Sequence, residues 1–170
     1  MNHAQALWCT QARSDFSIFV HLRRAGAHEC HLLHYLQMST EKLSKAYLWR
    51  SGHAPPKKHT GFIRFLKALL DRRSADLERV SKTLGFGRPE DLDKWVSSPS
   101  IQTLAYWLQD LAPAIAIDRP NPEYPWPHGA PTECPAEHSF ALWNRLSDSG
   151  QGRKMIEFIE RAIIRFDAYA

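Results

Sequence analysis

Nine histidines occur in the 170 residues, and three of them, His28, His31 and His34, stand close together in one stretch. Neighbours at i and i+3 share a helix face, and imidazole binds zinc or nickel, so the trio has the chemistry of a metal site. No fourth ligand is evident, Cys30 points roughly elsewhere, and no HExxH pattern is present; a solvated histidine face is the preferred reading, and neither a metal nor another cofactor is expected. Arg23 and Arg24 precede the same stretch, where guanidinium groups beside the free N–H groups of a helix start suit a phosphate. His53, Lys57, Lys58 and His59 form a second basic cluster. Phosphate or nucleotide contact is one reading of it; helix capping or loop packing by His59, beside Thr60, is the other. Tyr124 and Trp126 offer faces on which a base can stack, or rings that simply seal a bundle. No nucleophile elbow, Walker loop, dinucleotide fingerprint or paired catalytic carboxylates in a recognisable context is present.

The elements that would position these groups read as helices. Trp8, Ala12, Phe16, Phe19 and Leu22 fall near helical spacing over residues 4–23, and Ala25-Gly26 breaks the pattern. From Glu29, Leu32, Leu36, Leu43 and Tyr47 form a stripe widened by Leu33, Met38 and Ala46, with Gln37, Glu41 and Lys45 on another face. Gly52 and Pro55-Pro56 stop that helix; Thr60 caps a second one carrying Phe62, Phe65, Leu66 and Leu69. The facing stripes, Leu36, Leu43 and Tyr47 against Phe65 and Leu66, are the expected core.

Downstream, Ser74 opens a helix with Leu77, Val80 and Leu84 that Gly85-Phe86-Gly87 ends, and Ser98-Pro99 opens another with Ile101, Leu104, Ala105, Leu108 and Leu111. Pro113, Pro120, Pro122, Pro125, Pro127, Pro131 and Pro135 are seven of the eleven prolines. So donor-poor a segment predicts a loop rather than helix or strand, extended and ordered across the bundle, with Tyr124 and Trp126 at least partly buried. Phe140, Trp143 and Leu146 mark one further helix; Met155, Ile156, Ile159, Ala162, Ile163 and Phe166 mark the last, beginning after Gly150-Gln151-Gly152. No segment alternates with period two and no repeat is found, so the fold class is all-α: a single bundle of about six to eight helices over residues 1–170.

A hydrophobic fraction of 44% and six Trp exclude the composition of a disordered chain, and the length suits one domain. No apolar run approaches the roughly 20 residues of a membrane helix and the N-terminus has no apolar signal core, so no membrane contact and a cytoplasmic location are expected. Cys9, Cys30 and Cys134 are odd in number and lack CxxC spacing, which predicts reduced thiols. A net charge of +4 is compatible with a polyanion partner without demanding one.

The central helix ends in Glu41, Lys42, Lys45, Ala46 and Leu48, followed by Gly52 and His59, and this string resembles the HEPN (higher eukaryote and prokaryote nucleotide-binding) domains. A second echo follows Leu111-Ala112-Pro113, where IDRPNPEYPWP stands in the place of an RYPD-like signature, with Glu123 rather than arginine before Tyr124-Pro125. The resemblance implies a helical module that binds nucleotide, RNA or a protein partner, as a homo-oligomer, in a bacterial defence or toxin–antitoxin setting. Its ribonucleolytic members use an arginine and a histidine separated by four to six residues late in the domain, the histidine moving a proton and the arginine stabilising phosphorane charge. Here the late motif is missing, because eight residues separate Arg119 from His128 and no histidine follows Arg145, Arg153, Arg161 or Arg165. Arg23 with His28 and Arg24 with His31 have the spacing, but between the first two helices.

The resulting expectation is a binding module using Lys57, Lys58, His59, Tyr124 and Trp126. One rival is a metal-independent ribonuclease using Arg23, Arg24, His28 and His31; another is a helical dimer or adaptor without ligand. Ala162, Ile163 and Phe166, apolar and near a chain end, add to the expectation of an oligomer.

Overall fold

The computed structural model describes residues 1–51, 61–116 and 118–170. Its first two helices form an antiparallel hairpin. Helix α1 (His3–Arg24) begins with a capping box: the Asn2 side chain accepts from the Gln5 N–H at 2.9 Å, and the Gln5 side chain accepts from the Asn2 N–H at 3.0 Å. It ends where Gly26, at φ 67°, lets the Ala27 N–H reach back to the Leu22 carbonyl at 3.1 Å and the Gly26 N–H to Arg23 at 3.3 Å. Helix α2 (Glu29–Leu48) then runs back along α1, so that Lys42 meets Asp15 at 2.5 Å and the Asn2 amide reaches the Trp49 carbonyl at 3.3 Å.

The apolar stripe of α2 is as expected, but its polar face is not a solvent face. Gln37 and Glu41 are 3% and 7% exposed, and they bond to each other at 3.2 Å while Lys45 holds Glu41 at 2.5 Å. Ser39, Thr40 and Ser44 are also buried, their hydroxyls turned back onto the Leu36, Gln37 and Thr40 carbonyls at 2.6–2.8 Å. Beyond the 3-10 turn Trp49–Ser51, helix α3 (Gly61–Leu70) buries Phe62, Ile63, Phe65, Leu66 and Leu69. Thr60, its expected cap, lies outside the described residues.

Helices α4 (Ser74–Thr83), α5 (Pro89–Val96) and α6 (Pro99–Asp110) follow. Arg73 rather than Ser74 is the N-cap of α4, whereas Ser98 and Pro99 open α6 as expected. α5 was not anticipated, although Pro89 in its first turn, Glu90 and Asp91 beside it, and buried Leu92, Trp95 and Val96 follow helix rules. α6 stops at Asp110, shortly before Pro113, and Pro113 itself starts the short turn α7 (Pro113–Ala116), where its missing N–H costs nothing. Helix α8 (Ala141–Asp148) leads to α9 (Gly150–Ile164). α9 starts at Gly150, because Ser149 caps the Gly152 N–H at 2.9 Å. A Cβ on Gly152 would fall 2.1 Å from the Arg145 carbonyl, so only glycine lets α8 and α9 approach this closely. The chain turns once more into α10 (Phe166–Tyr169).

Among the described residues there is no strand, only an isolated bridge between Trp126 and Glu133. Of the ten α-helices among the described residues, eight run two turns or more, the upper end of the expected count. No described helix is long and apolar enough to cross a membrane. The expected core residues Leu36, Leu43, Tyr47, Phe65 and Leu66 are all fully buried, in one connected apolar cluster. Ala162, Ile163 and Phe166 are buried within the chain, so they need no second copy to cover them.

Leu43→Ala should lower stability by about 2–5 kcal/mol, the range for emptying a packed leucine site, read as a shifted urea midpoint; an unchanged midpoint would remove Leu43 from the core. Tyr169, fully buried, donates to the Ala162 carbonyl at 2.8 Å, and burial pushes its phenol well above the ordinary range. Because the folded-state pKa lies above the unfolded value of about 10, its contribution is intact below that pH and lost as pH rises past it. Tyr169→Phe should cost about 1 kcal/mol at pH 7 and flatten the alkaline fall in stability, which melts at pH 8 to 11 would show.

Candidate functional site

The α1–α2 turn gathers the arginine–histidine residues on the surface. Arg23 and Arg24 lie exposed in the last turn of α1, His28 is the exposed N-cap of α2, and His31 is exposed one turn on, with the His28 and His31 rings 6.4 Å apart. His34 leaves this group. Its Nδ1 sits 3.3 Å from a Glu123 carboxylate oxygen, without hydrogen-bond geometry, so the pair attracts only when the imidazole carries its second proton. Cys30 is buried, and among the described residues no three His, Cys, Asp or Glu side chains are placed to hold a metal. His53, Lys57, Lys58 and His59 lie outside the described residues.

The proline-rich segment is ordered by its own hydrogen bonds, in tight turns rather than an extended run. Buried Asn121 accepts from the Glu123 and Tyr124 N–H groups at 3.0 and 2.8 Å, and Asp118 accepts from His128 at 2.8 Å. Trp126 exchanges backbone bonds with Glu133 at 3.0 and 3.2 Å. A donor-poor chain thus turns several of the donors it has onto its own acceptors. Against α2 the segment places Glu123 beside His34, and just past it Glu29 of α2 accepts from the Phe140 N–H at 2.7 Å.

The two rings of this segment take opposite positions. Trp126 is 5% exposed, against His138 and Phe140 at 5.1 and 6.4 Å, so its face is not open to a base and its assignment to ligand binding is withdrawn. Tyr124, expected to be at least partly buried, is instead 56% exposed, and its ring remains open to solvent.

Between α6, this segment and the start of α8 lies a cleft of about 450 Å³. Leu111, Ala116, Phe140 and Leu142 give it apolar walls, while Trp107, Asp110, Arg119 and His138 add the polar and aromatic groups. Trp107 is partly exposed, and the Arg145 guanidinium lies 4.6 Å from the ring centre. Arg119 is held at the mouth by two α7 carbonyls, Nε to Ala116 at 3.3 Å and Nη2 to Ile115 at 3.1 Å. Such a site, mostly apolar with a few fixed polar groups, is the usual form of a small-ligand pocket.

Trp107 and His138 did not emerge from the sequence as site residues. The signal was there for Trp107: Tyr106 and Trp107 fall off the Ile101, Leu104, Ala105 and Leu108 stripe, two aromatics on the outer face of a helix. His138 sits in an irregular segment, without a spacing pattern to mark it.

Comparison with known proteins finds no matching family model, no matching curated protein and no matching solved structure. The HEPN resemblance rests on its motif residues alone.

Trp126→Ala should cost about 3–5 kcal/mol, the range for truncating a buried aromatic, whereas Tyr124→Ala should stay within about 0.5 kcal/mol. Urea unfolding of the two variants side by side checks the contrast, and equal losses would contradict the placement of the rings.

Proposed function

We propose that this chain is a binding module for a nucleotide-type ligand, a planar base carrying an anionic group, received in the cleft between α6 and the proline-rich segment. The cleft itself supports the reading: an accessible tryptophan, a carboxylate and a fixed arginine line one mostly apolar volume of about 450 Å³. A base stacking on Trp107 gains dispersion and quadrupole attraction; the Asp110 carboxylate accepts from amino or hydroxyl hydrogens. Arg119 spends two donors on α7, and its Nη1 has no acceptor among the described residues, leaving it for a phosphate oxygen. An unstacked residue of single-stranded RNA offers the same groups.

This function needs no catalysis. The exposed Arg23, Arg24, His28 and His31 line no part of the cleft, so they do not enter the binding chemistry proposed here. Calorimetric titration with the four ribonucleoside monophosphates and with a short single-stranded RNA tests the reading. Base stacking is worth about 1–3 kcal/mol, so Trp107→Ala should weaken binding about tenfold or more while leaving the melting temperature near that of the parent chain. Arg119→Gln should weaken the nucleotide more than the matching nucleoside. Absence of binding at millimolar concentration, or Trp107→Ala binding equal to the parent, overturns the proposal.

A further inference from the structure

On another part of the molecule, where the turn after α4 meets α9, two adjoining hollows of about 280 and 450 Å³ share Gly85, Phe86 and Lys154 as a common wall. The trough they form is cationic. Arg153, Lys154 and Arg161 from α9 and Lys94 from α5 line it, against Glu157 and Asp91. Asp91 is already committed to Arg88, which holds it by two bonds at 3.1 and 3.3 Å and keeps its carboxyl below the usual range. Four cations therefore face one carboxylate without such a partner, and none of the four has a carboxylate within ion-pair distance among the described residues.

Three of these cations are held in place. Arg153 Nη1 donates to the Ser147 and Asp148 carbonyls at 3.2 and 2.8 Å, and the Lys154 ammonium stands 4.8 Å from the Phe86 ring centre. Arg161 lies across Gly85: a Cβ there would fall 1.4 Å from its Nη1, so the guanidinium occupies the side of the backbone that glycine leaves open. Gly85 also sits at φ 89°, where the Phe86 N–H closes on the Ser81 carbonyl at 2.8 Å, so two requirements fix glycine at this turn. Positioned cations that outnumber the carboxylates beside them, Glu157 and an Asp91 already bonded to Arg88, are a preorganised anion site, because the ordering entropy is already spent in folding.

A further group of the trough lacks a partner. Trp95 lines it at 5% exposure, and its buried indole N–H has no acceptor among the described residues. Gly150 and Gln151, at the positive end of the fifteen-residue α9, line one hollow each. Two lobes, with Arg153 and Arg161 in one, Lys94 in the other and Lys154 between, match two linked anionic groups better than one. Each hollow is near the size of a small-ligand site, about 300–1,000 Å³, rather than a long track.

We propose that this trough binds a small molecule carrying a diphosphate group, with Arg153, Lys154, Arg161 and Lys94 as the phosphate contacts. The site is separate from the α6 cleft and does not depend on the function assigned there. Inorganic pyrophosphate is the probe, titrated calorimetrically into the full chain at constant ionic strength beside orthophosphate and sulfate. Pyrophosphate should bind about tenfold or more tighter than either single anion, since it engages both lobes. Lys154→Gln and Arg161→Gln should each reduce that affinity about tenfold, with Arg161→Lys recovering part of it and Trp107→Ala leaving it unchanged. Circular dichroism melts confirm that the exposed substitutions leave the fold intact. Pyrophosphate binding no tighter than sulfate, or unaffected by both glutamine variants, overturns the proposal. So does a single-stranded oligoribonucleotide that binds through these residues while pyrophosphate does not.

Discussion

From Leu32 to Leu48 no residue of α2 is more than partly exposed, and α1, α3, α6 and α9 all contact this helix. A helix so enclosed must satisfy every polar group it carries from within the protein, and α2 carries many. Serine and threonine hydroxyls do so locally on their own carbonyls, while Gln37, Glu41 and Lys45 close a chain of bonds along one face. The Asp15–Lys42 pair crosses to α1 with both side chains largely shielded. Such a pair returns little net stability over an apolar substitute, but removing one member strands the other at a cost of about 3–5 kcal/mol. Its effect is to make one register of α1 against α2 far better than its neighbours.

Tyr47 carries the same constraint to the far end of α2. Its ring meets Phe65 at 5.0 Å and Tyr169 at 6.0 Å; its hydroxyl donates to the Ala68 carbonyl and accepts from Arg72 Nε at 3.0 Å. One side chain thus joins α2, α3, the turn before α4 and α10, with no donor or acceptor left over. At the near end, Glu29 holds the Phe140 N–H just past the proline-rich segment, whose Glu123 lies against His34. Because that segment forms one wall of the α6 cleft, the cleft's shape follows from where α2 lies.

How far the sequence could be read depended on whether an element announces itself by periodicity. α1, α2, α3, α6 and α9 have stripes long enough to identify, and they bury the residues those stripes named except Trp8, Leu22 and Met38, which are half-buried. α5 spans only eight residues between two turns, so its three buried side chains offered too few repeats to stand out. Periodicity also cannot tell a solvated polar face from a satisfied buried one, so the spacing of Gln37 and Glu41 carried no sign of their burial. For the site, the arginines and histidines of the α1–α2 turn were conspicuous in sequence, yet they gather on open surface and line no part of the cleft. Trp107, Arg119 and His138 come together only through the folding of a segment without period, and no local pattern records that.

The two candidate sites have α8 in common. Its eight residues span about 12 Å, with Ala141 and Leu142 in the wall of the cleft and its last carbonyls held by Arg153 of the trough. Arg145 marks the middle: its guanidinium stacks on Trp107, its carbonyl accepts from the Ser149 hydroxyl at 2.7 Å, and that same carbonyl abuts Gly152. Any displacement of α8 along α9 would have to break the Ser149 bond, pull Arg153 off two carbonyls and lose the one approach that glycine permits. α8 therefore behaves as a fixed strut, and the tryptophan-bound arginine at one site and the carbonyl-bound arginine at the other keep a set separation.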